Sequence, residues 1–572
     1  MKISLTSYHS SPTAPVRTPL AHGTAMEVII LLLAAFDLAH SFPNCFGKDF
    51  ITAFPENIVY YHPTHPNNRI SVTALNSNTS VTVTIASPYF TTTQQLSAGQ
   101  PVEFLSYMIG KELDLSKFSN QTVHVTSTDY VSVLAISQKG DSIQTVLVPP
   151  VQTLGTEYNV PPVPNIYQSQ LYLPYRWFRL VVINHNRTNQ VTISGTTGPY
   201  ETVSLLPFQL VQFWLNGSDP HVLSDLPVAV LYGHPCAFTT ICTCRFLLTP
   251  LYPVTEWGSE YLLPTIEEDP INTTALLLTT SQAVTLLSGP GTGQLQLQSS
   301  QKLPFYPSLP SGSFSVKTSS PVLLTLDTPG LLLNLLPMDS FASCYLVSTI
   351  ASQINQALLI VPTGQTGGVH LEGNVLTVTW TPMNGTGYSW GLADLLTVGQ
   401  RNIIWHSSSK IGVYYLGQTD GKVYGNPAAS LSAYPDSNGC VLNPEIVTLG
   451  NNQAGWPESL NYCQNRGYNL VSLNTPDFLL RVAKALRESP VPVPGQGWIG
   501  MRRSSLTGQW YWLTQQDVSF THWGLGEPGS QIQGQCAMMT LDPEGNYTWS
   551  DQSCCEALPA VCYQAPVYFA LR

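Results

Sequence analysis

The sequence predicts a mainly β protein, four tandem β-sandwich-like repeats followed by one α+β module, and three observations lead to that reading. Val81-Thr82-Val83-Thr84 and Leu376-Thr377-Val378-Thr379 alternate apolar and hydroxyl side chains, the period of a strand with one buried face. A short pattern of apolar, small, polar, acidic and aromatic residues recurs at Phe46-Gly47-Lys48-Asp49-Phe50, Leu154-Gly155-Thr156-Glu157-Tyr158 and Trp257-Gly258-Ser259-Glu260-Tyr261. A fourth copy, Phe341-Ala342-Ser343-Cys344-Tyr345, puts Cys in place of the acid. Beyond residue 440 the period changes, and Phe478, Leu479, Val482 and Leu486 are spaced for the buried stripe of a helix.

A chain of 572 residues is too long for one hydrophobic core, because domains usually run about 100–200 residues. Each opening motif is followed by a closing run, Tyr130–Val133, Pro227–Val230, Pro321–Leu324 and Lys410–Val413. Between these landmarks lie short β-branched stretches such as Phe178–Ile183 and Gln190–Ile193, broken by Gly, Pro and Asn, as expected of antiparallel strands. The repeats therefore run near 46–147, 154–250, 257–335 and 341–425, each about the size of a β-sandwich. A β-propeller is the alternative, with blades that normally need only about 40–50 residues.

Composition narrows the function. Charged residues make up 10% of the chain and the net charge is −11, with Lys and Arg scattered singly, so no basic stripe exists to neutralise phosphates and nucleic acid is excluded as a partner. The apolar run from Val28 to Ala35 and on to Leu38, followed by Ala39-His40-Ser41, reads as a signal peptide cleaved before Phe42. That assigns residues 1–41 to a signal peptide with an upstream extension, translation starting at Met26; a buried N-terminal helix is the other reading. No later stretch of about 18 apolar residues occurs, so no membrane span is expected. Eleven Cys and seven Asn-x-Ser/Thr sites, at Asn78, Asn120, Asn186, Asn216, Asn272, Asn384 and Asn546, agree with an extracellular, disulfide-bonded glycoprotein.

Within 42–425, Gly47-Lys48-Asp49-Phe50-Ile51-Thr52-Ala53-Phe54, the Leu154–Tyr158 motif and Tyr232-Gly233-His234-Pro235-Cys236-Ala237 resemble the N-terminal domain of the IgGFc-binding-protein family. The resemblance implies a secreted mucosal or cell-surface binding role, with immunoglobulin binding as a narrower form. The cysteine-rich von Willebrand-type repeats that accompany that domain in the mucus glycoprotein do not occur here, and no Fc-contact residue carries over.

A stretch rich in turn formers, 426–439, reads as a linker. After it, Trp456-Pro457-Glu458-Ser459 and Thr475-Pro476-Asp477 are helix starts, each with Pro in the first turn where its missing N–H costs nothing. Then come Trp498-Ile499-Gly500-Met501, Trp510-Tyr511-Trp512, Phe520, Trp523, Gly526-Glu527-Pro528, Cys536, Trp549-Ser550-Asp551, Cys554 and Pro559-Ala560-Val561-Cys562. This ordered set resembles the C-type lectin-like family over 440–564, leaving 565–572 as a tail. The resemblance implies the cross-links Cys463–Cys562 and Cys536–Cys554, each restricting the unfolded chain by about 3–5 kcal/mol.

Sugar-binding members of that family hold Ca²⁺ through a Glu-Pro-Asn or Gln-Pro-Asp triplet, an acid two residues before the second cysteine, and Asn-Asp after the tryptophan. Here those places hold Glu527-Pro528-Gly529, Gly534 and Ser550-Asp551. Only Glu527 and Asp551 keep the required oxygens, and a hard cation wants six to eight. The expectation is a degenerate site with no metal and no cofactor, Glu527 and Asp551 being exposed loop residues or at most part of a ligand surface.

Seven cysteines remain, Cys45, Cys236, Cys242, Cys244, Cys344, Cys440 and Cys555, and the odd number leaves a thiol for a covalent link between chains. The cluster Cys236, Cys242 and Cys244 is read as disulfide rather than zinc, lacking a second ligand pair. Gly387-Tyr388-Ser389-Trp390-Gly391 spells a nucleophile elbow but sits in a β repeat, and His62 and His65 lack the Glu of a metalloprotease pair. The sequence thus predicts a non-enzymatic, secreted recognition or adhesion protein that binds a glycan or protein ligand. A structural component of mucus or extracellular matrix is the alternative.

Overall fold

A computed structural model describes residues 45–571 apart from 60–64, 87–88, 106, 164–176, 196–200, 216–219, 241–242, 265–274, 289–294, 298–301, 306–313, 329, 351, 396–400, 420–421, 490–494, 531–533 and 542–545. The signal-peptide region, His62, Cys242, Asn216 and Asn272 lie outside the described residues. The described chain is mostly strand, and its only long helices belong to the C-terminal module. None of them is long and apolar enough to cross a membrane.

The alternating run at Val81 is the strand Thr79–Ile85, with Val81, Val83 and Ile85 buried and the intervening hydroxyls half-exposed. Thr82 pairs across to Thr93 at 2.9 Å, and the corresponding Thr192–Thr202 pair in the next repeat has the same spacing. Leu376–Thr379 keeps the alternation but lies between the short strands Asn374–Val375 and Thr381–Met383 rather than inside one.

Three sheets share one plan. In the first, the long strand Val123–Lys139 is flanked in its N-terminal half by Gly47–Thr52 and Thr79–Ile85, and in its C-terminal half by Asn67–Ala74 and Ser142–Leu147. The two halves carry different neighbours yet share a core containing Phe50, Val72, Val83, Val125 and Val133, which makes a sandwich from one long strand. The strands His221–Thr240 and Phe314–Thr328 organise the second and third sheets in the same order. Between Cys344 and Ser432 the same order appears as two five-stranded sheets, because the long strand is interrupted between Arg401–His406 and Gly412–Thr419.

The recurrent aromatic of the opening motif explains its spacing. The Tyr158 hydroxyl accepts from the Gly155 N–H at 2.9 Å and donates to the Val228 carbonyl at 2.7 Å, clamping the opening strand to the long strand at its irregular register. Tyr261 joins Gly258 to Val322, and Tyr345 joins Ala342 to Ile411, in the same way. The small residue of the motif is also explained: a Cβ on Gly47, Gly155 or Gly258 would come within 2.4 Å or less of Pro150, Pro253 or Pro337, the proline that precedes the next opening motif.

Neighbouring repeats touch through their closing strands. Ser142–Leu147 contacts Thr243–Pro250, that strand contacts Leu331–Asn334, the third contacts Lys422–Pro427, and the fourth returns to Ser142–Leu147. Polar side chains stitch the cycle: the Phe246 N–H donates to Ser142 Oγ at 3.1 Å, Asn334 Nδ2 to the Pro250 carbonyl, the Leu336 N–H to the Tyr414 hydroxyl at 2.8 Å, and Thr145 Oγ1 to Asn426 Oδ1 at 2.7 Å.

The C-terminal module has two helices, α1 (Trp456–Gln464) and α2 (Pro476–Arg487). Thr475 caps α2 by accepting from the Phe478 N–H, and Phe478, Leu479, Val482, Ala483 and Leu486 are its buried stripe. A four-stranded sheet runs Trp510–Trp512, Gln496–Arg503, Cys536–Thr540, Trp549–Gln552, and Trp498, Trp512 and Trp549 are fully buried around it. Cys463 is bonded to Cys562 and Cys536 to Cys554.

Two stretches differ from the sequence reading. Ala429–Ser432, placed in the linker, is a strand on the opening strand Cys344–Ser348, and Cys344 is bonded to Cys440, so the acid missing from the fourth motif is replaced by a cross-link. Val567–Tyr568, placed in the tail, pairs with Val441–Asn443. Phe569 is buried beneath the Arg401 guanidinium, which also donates to the Ala570 carbonyl at 2.6 Å. Burial of Phe569 and the Arg401 bond give an apparently loose terminus its structure.

Tyr261→Phe should leave the Gly258 N–H and Val322 carbonyl buried without the hydroxyl, at a cost of about 1–3 kcal/mol. A lowered thermal midpoint with unchanged native circular dichroism is the expected result.

Candidate functional site

The loops at one end of the C-terminal module's four-stranded sheet carry the residues that sequence reasoning singled out. Arg503 ties two of these loops together, donating to the Gly508 carbonyl at 3.2 Å and to the Gly529 carbonyl at 3.4 Å while its guanidinium lies over the Trp510 ring. Trp510 packs against Trp523, and Trp523 against the edge of the buried Trp549. The tips are apolar and solvated, Leu506 and Leu525 being among the most exposed large side chains described.

The structure brings Glu527 and Asp551 together; Glu527 is a half-exposed loop residue, but Asp551 is not an exposed one. Asp551 is 7% exposed, held on the strand Trp549–Gln552 opposite Ala537. Its Oδ1 accepts from the Gly529 N–H at 2.7 Å, and Glu527 Oε2 accepts from the Asp551 N–H at 3.5 Å. Partial desolvation and the neighbouring Asp551 carboxylate raise the Glu527 carboxyl above its ordinary range.

The absent ligand positions have a steric cause at one place. Gly534 is buried, and a Cβ there would meet the backbone N, C and O of Gln552 at 2.6–2.8 Å. No acid fits before Cys536 without moving the strand that carries Asp551. Ser550 is half-buried opposite Met538. Two carboxylates that already share backbone donors offer a cation far fewer than the six oxygens it needs.

Among the other sequence candidates, Ser389 lies within the strand Tyr388–Asp394 opposite Val361, buried, with its hydroxyl 3.0 Å from Thr363 Oγ1. This is a ladder position, not a strand-to-helix turn. Cys236 is bonded to Cys244. Cys45 is a buried thiol whose pKa burial raises to about 11, and Cys555 is exposed. Asn78, Asn120, Asn186, Asn384 and Asn546 are all exposed.

Two features escaped sequence reasoning. A cleft of about 560 Å³ in the first repeat is lined by Glu56, His65, Tyr107, Lys111 and Glu112 among others. Glu112 accepts from the Asn57 N–H at 2.6 Å, and Glu56 pairs with the buried Arg179 at 2.9 Å. Asp49, His124 and His185 also meet at the first junction between repeats. The acid of the opening motif was the available signal; its partners lie too far along the chain for spacing to reveal.

Residues 452–564 match the family model described as the lectin C-type domain. These residues form a C-type lectin-like domain. Residues 144–417 match the family model described as IgGFc binding protein. Human IgGFc-binding protein is 26% identical over 384 residues, covering 62% of this chain and 7% of that protein. Human lithostathine-1-beta is 33% identical over 108 residues, covering 19% of this chain and 64% of its own length. The chain therefore spans less than two thirds of either relative. The crystal structure of human lithostathine, 29% identical, aligns with a TM-score of 0.19 over 21% of this chain and 82% of that one. The C-type lectin-like domain thus follows a region similar to IgGFc-binding protein, and both families are of binding type.

Burial raises the Glu112 carboxyl to about 7. A raised acid holds its proton more tightly in the folded state, so its contribution is complete below the ordinary range near 4.5 and is lost as pH rises through about 7. Glu112→Gln should flatten the thermal midpoint against pH across that window, the parent falling with rising pH where the variant does not.

Proposed function

We propose that this chain is a secreted recognition glycoprotein whose C-type lectin-like domain engages a glycan or an extracellular protein without a bound Ca²⁺. The observation that supports it is the use of Glu527 and Asp551 inside the loop, together with glycines where two further oxygen ligands would stand. The contact surface is the pair of loops tied by Arg503, with Leu506 and Leu525 offering apolar area to a protein or to the apolar face of a sugar ring. The repeats carry this head and supply further surface, and tandem modules gain avidity on a multivalent target. Four disulfides and exposed sequon asparagines support an extracellular setting with N-linked glycans.

Immunoglobulin is the narrower ligand suggested by the similarity of residues 144–417 to IgGFc-binding protein. A second reading, covalent assembly into a mucus or matrix layer, is favoured by the exposed Cys555 thiol.

The test uses the untagged full-length protein on an array of glycans, immunoglobulins and mucosal glycoproteins, probed in calcium and again in chelator. Binding of equal strength in both is the expected result. Loss of binding in chelator that added Ca²⁺ restores and Zn²⁺ does not would contradict the proposal and point to Glu527 and Asp551 as metal ligands.

A further inference from the structure

The opening strand of each of the first three repeats places its acid beside a base on the long strand. Glu157 lies 3.2 Å from His221 in the second repeat and Glu260 3.3 Å from Lys317 in the third, and both are exposed two-membered pairs worth little. The first repeat departs from this pattern. Asp49 has His124 beside it on the long strand, Oδ1 to Nε2 at 2.8 Å, and a third group arrives from the neighbouring repeat: His185 Nε2 lies 3.1 Å from Asp49 Oδ2.

His185 follows the strand Phe178–Asn184, so the group joins two repeats. Among the described residues it is the one set of three His, Cys, Asp or Glu side chains whose ligand atoms all lie within 4.8 Å of one another. His185 Nε2 is buried and, although aimed at Asp49, makes no hydrogen bond of acceptable geometry. Phe208 covers both imidazoles, its ring 4.7 Å from that of His124 and 5.7 Å from that of His185, and its N–H donates to the His185 carbonyl at 2.8 Å. The three donors are only partly solvated, at 36%, 21% and 16% side-chain exposure for Asp49, His124 and His185.

We propose that Asp49, His124 and His185 bind Zn²⁺ at the junction of the first two repeats. Two imidazole nitrogens and one carboxylate oxygen are a donor set this borderline ion accepts, with a fourth position left for water. Donor atoms of a tetrahedral zinc site lie about 3.3 Å apart, given bond lengths near 2.0–2.1 Å; the two imidazoles meet different oxygens of Asp49, Oδ1 and Oδ2, and with all three ligand atoms within 4.8 Å of one another the ion would draw them together around one carboxylate oxygen. The ion would cross-link two repeats that are otherwise joined by ion pairs such as Arg179–Glu56 and Arg245–Asp141, hydrogen bonds and apolar packing.

The test takes untagged full-length protein, strips it with chelator and measures Zn²⁺ uptake by equilibrium dialysis with elemental analysis. One ion per chain is expected in the parent and in His221→Ala, a control that removes an ordinary acid–base pair. Affinity should fall by more than about 100-fold in His185→Ala and Asp49→Asn, beyond the loss of a mere supporting bond. Zn²⁺ should also raise the thermal midpoint of the parent and not of those variants. If a variant misfolds, Co²⁺ on the parent decides, since visible bands of tetrahedral nitrogen–oxygen ligation are expected. No Zn²⁺ bound by the parent, equal uptake by folded His185→Ala, or a six-coordinate Co²⁺ spectrum identical to the aquo ion would overturn the proposal.

Discussion

The buried carboxylate of Asp551 is the contact on which the loops of the C-terminal domain depend. Its carboxylate sits on a strand next to a fully buried tryptophan and accepts the Gly529 amide, which fixes the loop bearing Glu527 against the sheet. That amide occupies Oδ1 alone, and Oδ2 is buried without a hydrogen-bond partner. Desolvation and the neighbouring Asp551 carboxylate raise the Glu527 carboxyl above its ordinary range. Any side chain at Gly534 would press on the Gln552 backbone. The loops are therefore held by internal hydrogen bonds and by Arg503, and their apolar tips, Leu506 and Leu525, stand in solvent.

The scaffold behind the head repeats a small set of contacts. An aromatic hydroxyl clamps the opening strand to the long strand, and a glycine lets the proline before the next motif approach closely. Where the motif changes, the contact changes with it. Phe50 has no hydroxyl and relies on burial alone, while Cys344 exchanges an acid–base pair for a bond to Cys440. That bond and the buried Phe569 attach the lectin-like domain to the strands of the preceding repeat through both of its ends.

Much of this was legible in the sequence, and the reasons differ by element. The opening motifs were visible because one geometric requirement recurs, a small residue for the proline and an aromatic for the clamp. Helix α2 was legible from its cap and apolar stripe, both local properties. Ala429–Ser432 and Val567–Tyr568 were not, since segments this short form strands only because distant partners lie alongside. Burial of Asp551 was hidden for the same reason: its partner amide lies 22 residues away in a loop that sequence reads as solvent-exposed. The meeting of Asp49, His124 and His185 needs the sheet register and the packing of one repeat on the next, neither of which any single segment encodes.

Calorimetric titration of the untagged full-length protein with Ca²⁺, in zinc-free buffer, tests most directly whether the loop carboxylates are occupied internally. The account predicts no saturable heat at millimolar Ca²⁺ and identical traces for the parent and Glu527→Gln. A stoichiometric binding isotherm that disappears in Glu527→Gln would contradict it.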